Sequence, residues 1–218
     1  DQRQLVEKEY DGPVRISGSA GTGKTIVALH RAVHLARTNP ESRVLLATFT
    51  VTLANALKTM LRRLVDHEPR LAERIDVYAL DELGLRLFRM HGGAGMELIK
   101  DDAIDGLLED AARQVPDHRF GARFLQAEWK QVVDAWQIHT WEGYRDVPRL
   151  GRRTRLSEAQ RAILWSIFKI VRDALKASNR MTRAGMFAGL ADIMHELKTT
   201  PYDYAVIDEA QDIGIPEL

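Results

Sequence analysis

Two stretches of this sequence carry residue types that could do chemistry on a triphosphate. Gly18-Ser19-Ala20-Gly21-Thr22-Gly23-Lys24-Thr25 satisfies the spacing GxxxxGK[ST] in full. Gly18, Gly21 and Gly23 let the backbone turn tightly and approach phosphate oxygens. A helix beginning near Lys24 points its unpaired N–H groups and positive dipole end at the same oxygens. Lys24 supplies a mobile point charge for the β- and γ-phosphates, and the Thr25 hydroxyl is placed to ligate Mg²⁺. Far along the chain, Ala205-Val206-Ile207-Asp208-Glu209 is a hydrophobic run that ends in two carboxylates. Asp208 can hold Mg²⁺ directly or through water, and Glu209 can polarise the water that attacks the γ-phosphate. An Asp-Glu pair alone is common. After a buried strand, in a chain with a complete phosphate loop, it points to ATP hydrolysis. Ala210, Gln211 and Asp212 complete DEAQD, and Gln211 joins the loop residues as a candidate nucleotide contact.

The elements that must position these residues follow from hydrophobic period and turn residues. Val14-Arg15-Ile16-Ser17 reads as a strand that runs straight into the glycine-rich loop. Residues 26–37 read as a helix ended by Asn39-Pro40. Residues 43–48 (RVLLAT) read as a buried strand, 53–65 as a helix and 75–78 as another strand. Alternating strands and helices predict a parallel α/β sheet. After His91-Gly92-Gly93-Ala94-Gly95, which reads as a joint, residues 97–198 show helices and no convincing strand. Apolar faces recur at Ile104, Leu107, Leu108, Ala111, Ala112 and Val115; at Phe124, Leu125, Trp129, Val132, Val133 and Trp136; and at Ile163, Leu164, Ile167, Phe168, Val171 and Leu175. Ser157 is the expected N-cap of the third. Residues 204–208 return to a strand. The expected fold is therefore an α/β sheet interrupted by an all-helical insertion.

Composition narrows the function classes. With no cysteine among 218 residues, disulfides, thiolate catalysis and zinc ribbons are excluded. The seven histidines are scattered, and His30 and His34, at helical spacing, lack an HExxH context. No apolar run approaches the roughly 18–20 residues that span a bilayer, and the first ten residues lack a signal-peptide core. The expected location is cytoplasmic and nucleoid-associated, with no membrane partner and no obligate oligomer. The net charge is +0, but residues 145–183 hold eleven Lys/Arg against three acids, enough to steer a polyanion. A solvated helix face is the plainer account of the same surplus.

GSAGTGKT together with VIDEAQD resembles superfamily I DNA helicases of the UvrD/Rep/PcrA kind, as a divergent member. The resemblance implies a P-loop NTPase (RecA-like) parallel sheet over residues 1–91 and 199–218, with a helical subdomain inserted at 92–198. It implies ATP and Mg²⁺ as cofactors, and single-stranded or partly duplex DNA as partner. In that family a glutamine upstream of the loop reads the adenine edge; Gln2 is the best match here and Gln4 the second. Thr48, Phe49 and Thr50 match the family's TFTNKAA motif, which touches the single-strand backbone, whereas Val51 and Thr52 replace the usual Asn-Lys. Val77-Tyr78-Ala79-Leu80-Asp81 stands where a T-F-H motif is usual, and no role carries over to it. His30-Arg31 matches a pair common in the helix after the loop. The Arg152, Arg153 and Arg155 run lies in the expected insertion, where arginine would bind DNA phosphate without reading sequence. Trp129, Trp136, Trp141 and Trp165 read as core, with stacking on bases as the other reading.

The family's motor needs a second RecA-like domain to complete the ATP site. None follows DEAQD before Leu218, so the fragment alone is expected to turn over very slowly and to unwind nothing. The leading expectation is an ATP-driven helicase or translocase, moving 3′ to 5′ as its relatives do. A P-loop kinase with the helical insert as a lid is a rival, but DEAQD and TFT have no purpose in it. The other rival is a P-loop ATPase switch or clamp that holds nucleic acid or a protein partner without unwinding.

Overall fold

The computed structural model describes residues 2–19, 21–92, 95–116, 118–148, 155–198 and 200–212. In chain order the elements are α1 (Gln2–Glu7), α2 (Lys24–Thr38), β1 (Val44–Thr48), α3 (Val51–Leu64), α4 (Pro69–Ala72), β2 (Ile75–Ala79) and α5 (Leu80–Met90). There follow β3 (Glu97–Leu98), α6 (Asp101–Gln114), α7 (Ala122–Glu128), α8 (Trp141–Asp146), α9 (Glu158–Ala177), β4 (Arg180–Met181), α10 (Arg183–Leu197) and β5 (Tyr204–Ile207). The chain falls into two compact units, one of Asp1–Arg86 with Met194–Ile213 and one built on Leu87–Ile193.

The first unit is a three-stranded sheet in the order β2-β1-β5, parallel throughout. Every residue of β1 is buried, while β2 alternates. A central parallel strand has both faces covered, which is why VLLAT is a continuous apolar run. Leu29, Val33 and Ala36 of α2 and Leu57 and Leu61 of α3 pack with Val44 and Leu46 of β1 into one core. The start of β5 is tied to the start of β1 by Asp203, whose carboxylate accepts from Arg43 N at 2.8 Å and whose N–H donates to Arg43 O at 3.0 Å. Arg43 in turn pairs with Asp76 at 2.6 Å across to β2.

One expected strand is absent. Residues 14–17 pair with no strand among the described residues, and Val14 and Ile16 are 49% and 38% exposed. A strand exists only where a neighbour takes its N–H and C=O groups. The outer edge of β5 has no such neighbour among the described residues, and Ala205 and Ile207 stand exposed. The apolar run before the loop is therefore an extended approach segment.

The second unit is helical. Ile104 and Leu108 of α6, Leu125, Trp129 and Val133, and Leu164, Ile167, Phe168 and Val171 of α9 form its core. Ser157 caps α9 as expected and does so in a full capping box with Gln160. The expected second helix is α7 followed by a π-helical turn, Trp129–Asp134. That wider turn rotates the apolar stripe. Trp129, Val132 and Val133 point inward, and Trp136 is turned out to 59% exposure. The expectation of no strand here is corrected by the short parallel pair β3–β4, with Glu97 opposite Arg180. Glu128 is fully buried and accepts a hydrogen bond from the equally buried Tyr144 hydroxyl at 2.9 Å. No helix among the described residues is long and apolar enough to cross a membrane.

Candidate nucleotide-binding site

The glycine-rich loop ends at Gly23, the N-cap of α2, whose φ of 80° is left-handed. Such a φ suits glycine at little steric cost. Lys24 and Thr25 open the helix, both half-buried. The Lys24 ammonium folds back over its own loop and donates to the carbonyls of Gly18 and Ser19, each at 2.9 Å. Thr22 closes the turn from the side, its hydroxyl donating to Ser19 O at 2.8 Å. The loop is thus cinched around the lysine. Gly21 is left-handed as well (φ 77°), and Ala20 lies outside the described residues.

Gln2 reaches this loop from a distant point in the sequence. Its side-chain amide donates to Thr22 O at 2.8 Å, and a Cβ on Gly23 would stand 2.7 Å from that nitrogen. Gln4, on the same short helix, makes no side-chain hydrogen bond to the loop among the described residues; its carbonyl accepts from Lys8 N at 3.0 Å.

The acidic residues end β5. The N–H of Asp208 donates to Ala47 O at 2.8 Å, which continues the β1–β5 ladder by one step. Asp208 is 4% exposed; one carboxylate oxygen accepts from Glu209 N at 3.1 Å, and Oδ2 has no hydrogen-bond partner among the described residues. A buried carboxylate oxygen left open in this way suits a cation, directly or through water. Glu209 is half-buried at φ 58°, a left-handed value uncommon outside glycine. Gln211 donates to the Glu209 carboxylate. The strands are parallel and α2 runs back toward the start of β1, so the loop and Asp208 both lie at the sheet edge where the strands finish.

The expected nucleic-acid residues fare differently. Thr48 is fully buried and its hydroxyl has no partner among the described residues, so it offers no surface to a strand of DNA in this conformation. Phe49 is half-buried. Thr50 is exposed and caps α3, its Oγ1 accepting from Leu53 N at 3.2 Å. Arg152 and Arg153 lie outside the described residues, and Arg155 is exposed. Part of the basic surplus around them is committed internally. Arg145 pairs with Asp146, Lys169 with Asp173, Arg161 donates to carbonyls of residues 144, 145 and 147, and Arg172 donates to Ile138 O at 2.7 Å. Trp129 is core, packed against Phe168, and Trp165 stacks on Tyr144. Of the four tryptophans, Trp136 presents most surface.

Comparison with protein-family models aligns residues 1–214 with the UvrD/REP helicase N-terminal domain. The chain belongs to this family. The match takes in the glycine-rich loop, the helical unit and the DEAQD segment, so both compact units are parts of one UvrD/REP N-terminal domain. Comparison with curated proteins gives no match. Membership makes helicase-type, ATP-dependent hydrolysis and nucleic-acid binding the functional class of the UvrD/REP domain. Arg31 was visible in the sequence only as the second half of His30-Arg31. The structure gives it a specific set of partners, described below.

Proposed function

We propose that this chain is the ATP-binding part of a DNA helicase or translocase, in which hydrolysis drives movement along single-stranded DNA, 3′ to 5′. The observation that carries the reading is the pairing of a cinched phosphate loop at the start of α2 with the open, buried Asp208 oxygen at the end of β5. In this reading the unit that holds the sheet is RecA-like, and residues 92–198 are its helical insertion.

Loop N–H groups and the α2 dipole receive the β- and γ-phosphates. Lys24 releases Gly18 O and Ser19 O and turns to those phosphates. Thr25 and Asp208 would hold Mg²⁺, which neutralises charge on the phosphate oxygens. Glu209 orients the attacking water and accepts its proton, while Gln211 steadies the Glu209 carboxylate. Gln2 faces the adenine. Thr50 and Phe49, with Arg155 and its neighbours Arg152 and Arg153, meet the DNA backbone. A second RecA-like domain of the same protein supplies the charge that completes the site.

The test is ATPase turnover of the full-length protein with and without single-stranded DNA, beside Lys24→Ala. The expected result is DNA-stimulated turnover that falls at least about a hundredfold in the variant. Turnover indifferent to nucleic acid would hand the reading to an ATPase switch or clamp without unwinding.

A further inference from the structure

We propose that Arg31 is a positioning residue of the nucleotide site, clamping the far end of α1 and so keeping Gln2 against the phosphate loop. The proposal rests on the nucleotide reading above and adds a residue to it.

The six residues of α1 are too few for a helix stable by itself, and none of them is fully buried. Leu5 and Val6 are half-buried. Besides its packing along α2, this helix is held at both ends. At the N-terminal end, Gln2 is bonded to Thr22 O. At the other end, Arg31 Nη1 donates to Val6 O at 2.6 Å and to Lys8 O at 2.8 Å. A helix leaves the carbonyls of its last turn without internal partners, and a cation there also meets the negative end of the dipole. Tyr10 completes the grip, with the Arg31 guanidinium 5.4 Å and the Lys8 ammonium 5.5 Å from its ring centroid.

Arg31 and the loop belong to the same stiff body. Eight helical steps separate Gly23 from Arg31, about 12 Å, and six separate Gln2 from Lys8, about 9 Å. The shorter helix is thus strapped to α2 at two points, one of them the phosphate loop. The phosphate-facing groups, Lys24 and the loop N–H groups, belong to α2 and its loop and do not need the strap. Gln2 does. Release at Arg31 would therefore weaken the contact with the base and spare the contact with the triphosphate, a split that general loosening of the fold would not produce.

The experiment measures binding of ATP and of inorganic tripolyphosphate by calorimetry, on full-length wild type, Arg31→Ala and Arg31→Lys, with amide hydrogen exchange over residues 2–8. Arg31→Ala is expected to weaken ATP about tenfold, to leave tripolyphosphate unchanged and to speed exchange in α1. Arg31→Lys, which can still donate to Val6 O and Lys8 O, is expected to restore most of both effects. Unchanged ATP affinity in Arg31→Ala overturns the proposal, as does an equal loss for both ligands. If the wild type binds neither ligand, the nucleotide reading falls and takes this role of Arg31 with it. Unchanged exchange in α1 overturns the clamp itself, whatever the nucleotide result.

Discussion

Thr48 and Asp208 end neighbouring parallel strands one step past the last β1–β5 pair, Ala47 and Ile207, and each buries an oxygen that has no hydrogen-bond partner among the described residues. Adjacent strands lie about 4.8 Å apart and register-matched side chains share a face, and Thr48 and Asp208 each follow directly on the matched pair Ala47–Ile207. An unsatisfied buried oxygen costs on the order of 1–3 kcal/mol. In the proposed nucleotide site, a cation held at Asp208 would remove part of that cost.

Thr48→Val tests this. It replaces the orphaned hydroxyl by a methyl of similar shape. Without nucleotide the variant is expected to gain about 1 kcal/mol in urea unfolding, while DNA-stimulated turnover of the full-length protein falls. Loss of stability would show that the hydroxyl is satisfied in solution.

Gly23→Ala strikes the loop in two ways. The φ of 80° costs an L residue roughly 1–2 kcal/mol, and the new methyl would meet the Gln2 amide at 2.7 Å. Both ATP affinity and thermal stability should fall. Pairing the change with Gln2→Ala should relieve the steric part only, which a double-mutant cycle on Tm would resolve.

Tyr144→Phe removes a donor from the fully buried Glu128. Depriving a buried carboxylate of a hydrogen bond is expected to cost about 2 kcal/mol. The loss should appear as a lower urea midpoint with an unchanged slope.

Asp134 contributes to the pH dependence of stability. Burial raises its pKa above the usual carboxylate range, offset in part by hydrogen bonds from Thr182 and Gln137. A carboxyl whose pKa is higher folded than unfolded favours the fold while protonated, and that contribution fades as pH rises through the folded value. Asp134→Asn keeps an acceptor for Thr182 without the charge. It should be at least as stable as wild type near neutral pH and should lose the part of the acid-range slope that Asp134 supplies, as measured by Tm against pH.

The parts of the fold written in local pattern were legible in the sequence. RVLLAT announced a strand covered on both faces, and Ser157 announced the start of α9. The parts that depend on distant neighbours were not. Val14 and Ile16 have the composition of a strand, yet pairing is a property of two segments, and no local signal says whether the second is there. Trp136 fits the apolar spacing of a regular helix, and one widened turn after Glu128 is enough to turn it outward. In the candidate site, the loop and Asp208 could be picked out because their spacing is tied to their chemistry. The approach of Gln2 to Thr22 and the hold of Arg31 on Val6 and Lys8 join residues that are close only after α1 has docked, and no period in the sequence encodes that docking.

The tie between Arg43 and Asp203 spans 160 residues, with the helical unit emerging from the ribosome in between. Until β5 has been synthesised, β1 has an open edge and Asp208 has no place in a sheet. Loop closure over so long a span costs less when the intervening chain is already compact, and domains tend to fold as units as they appear. A helical unit that became compact early would shorten the effective distance across which β5 must return to β1, and the insertion would then act as a folding aid for its host.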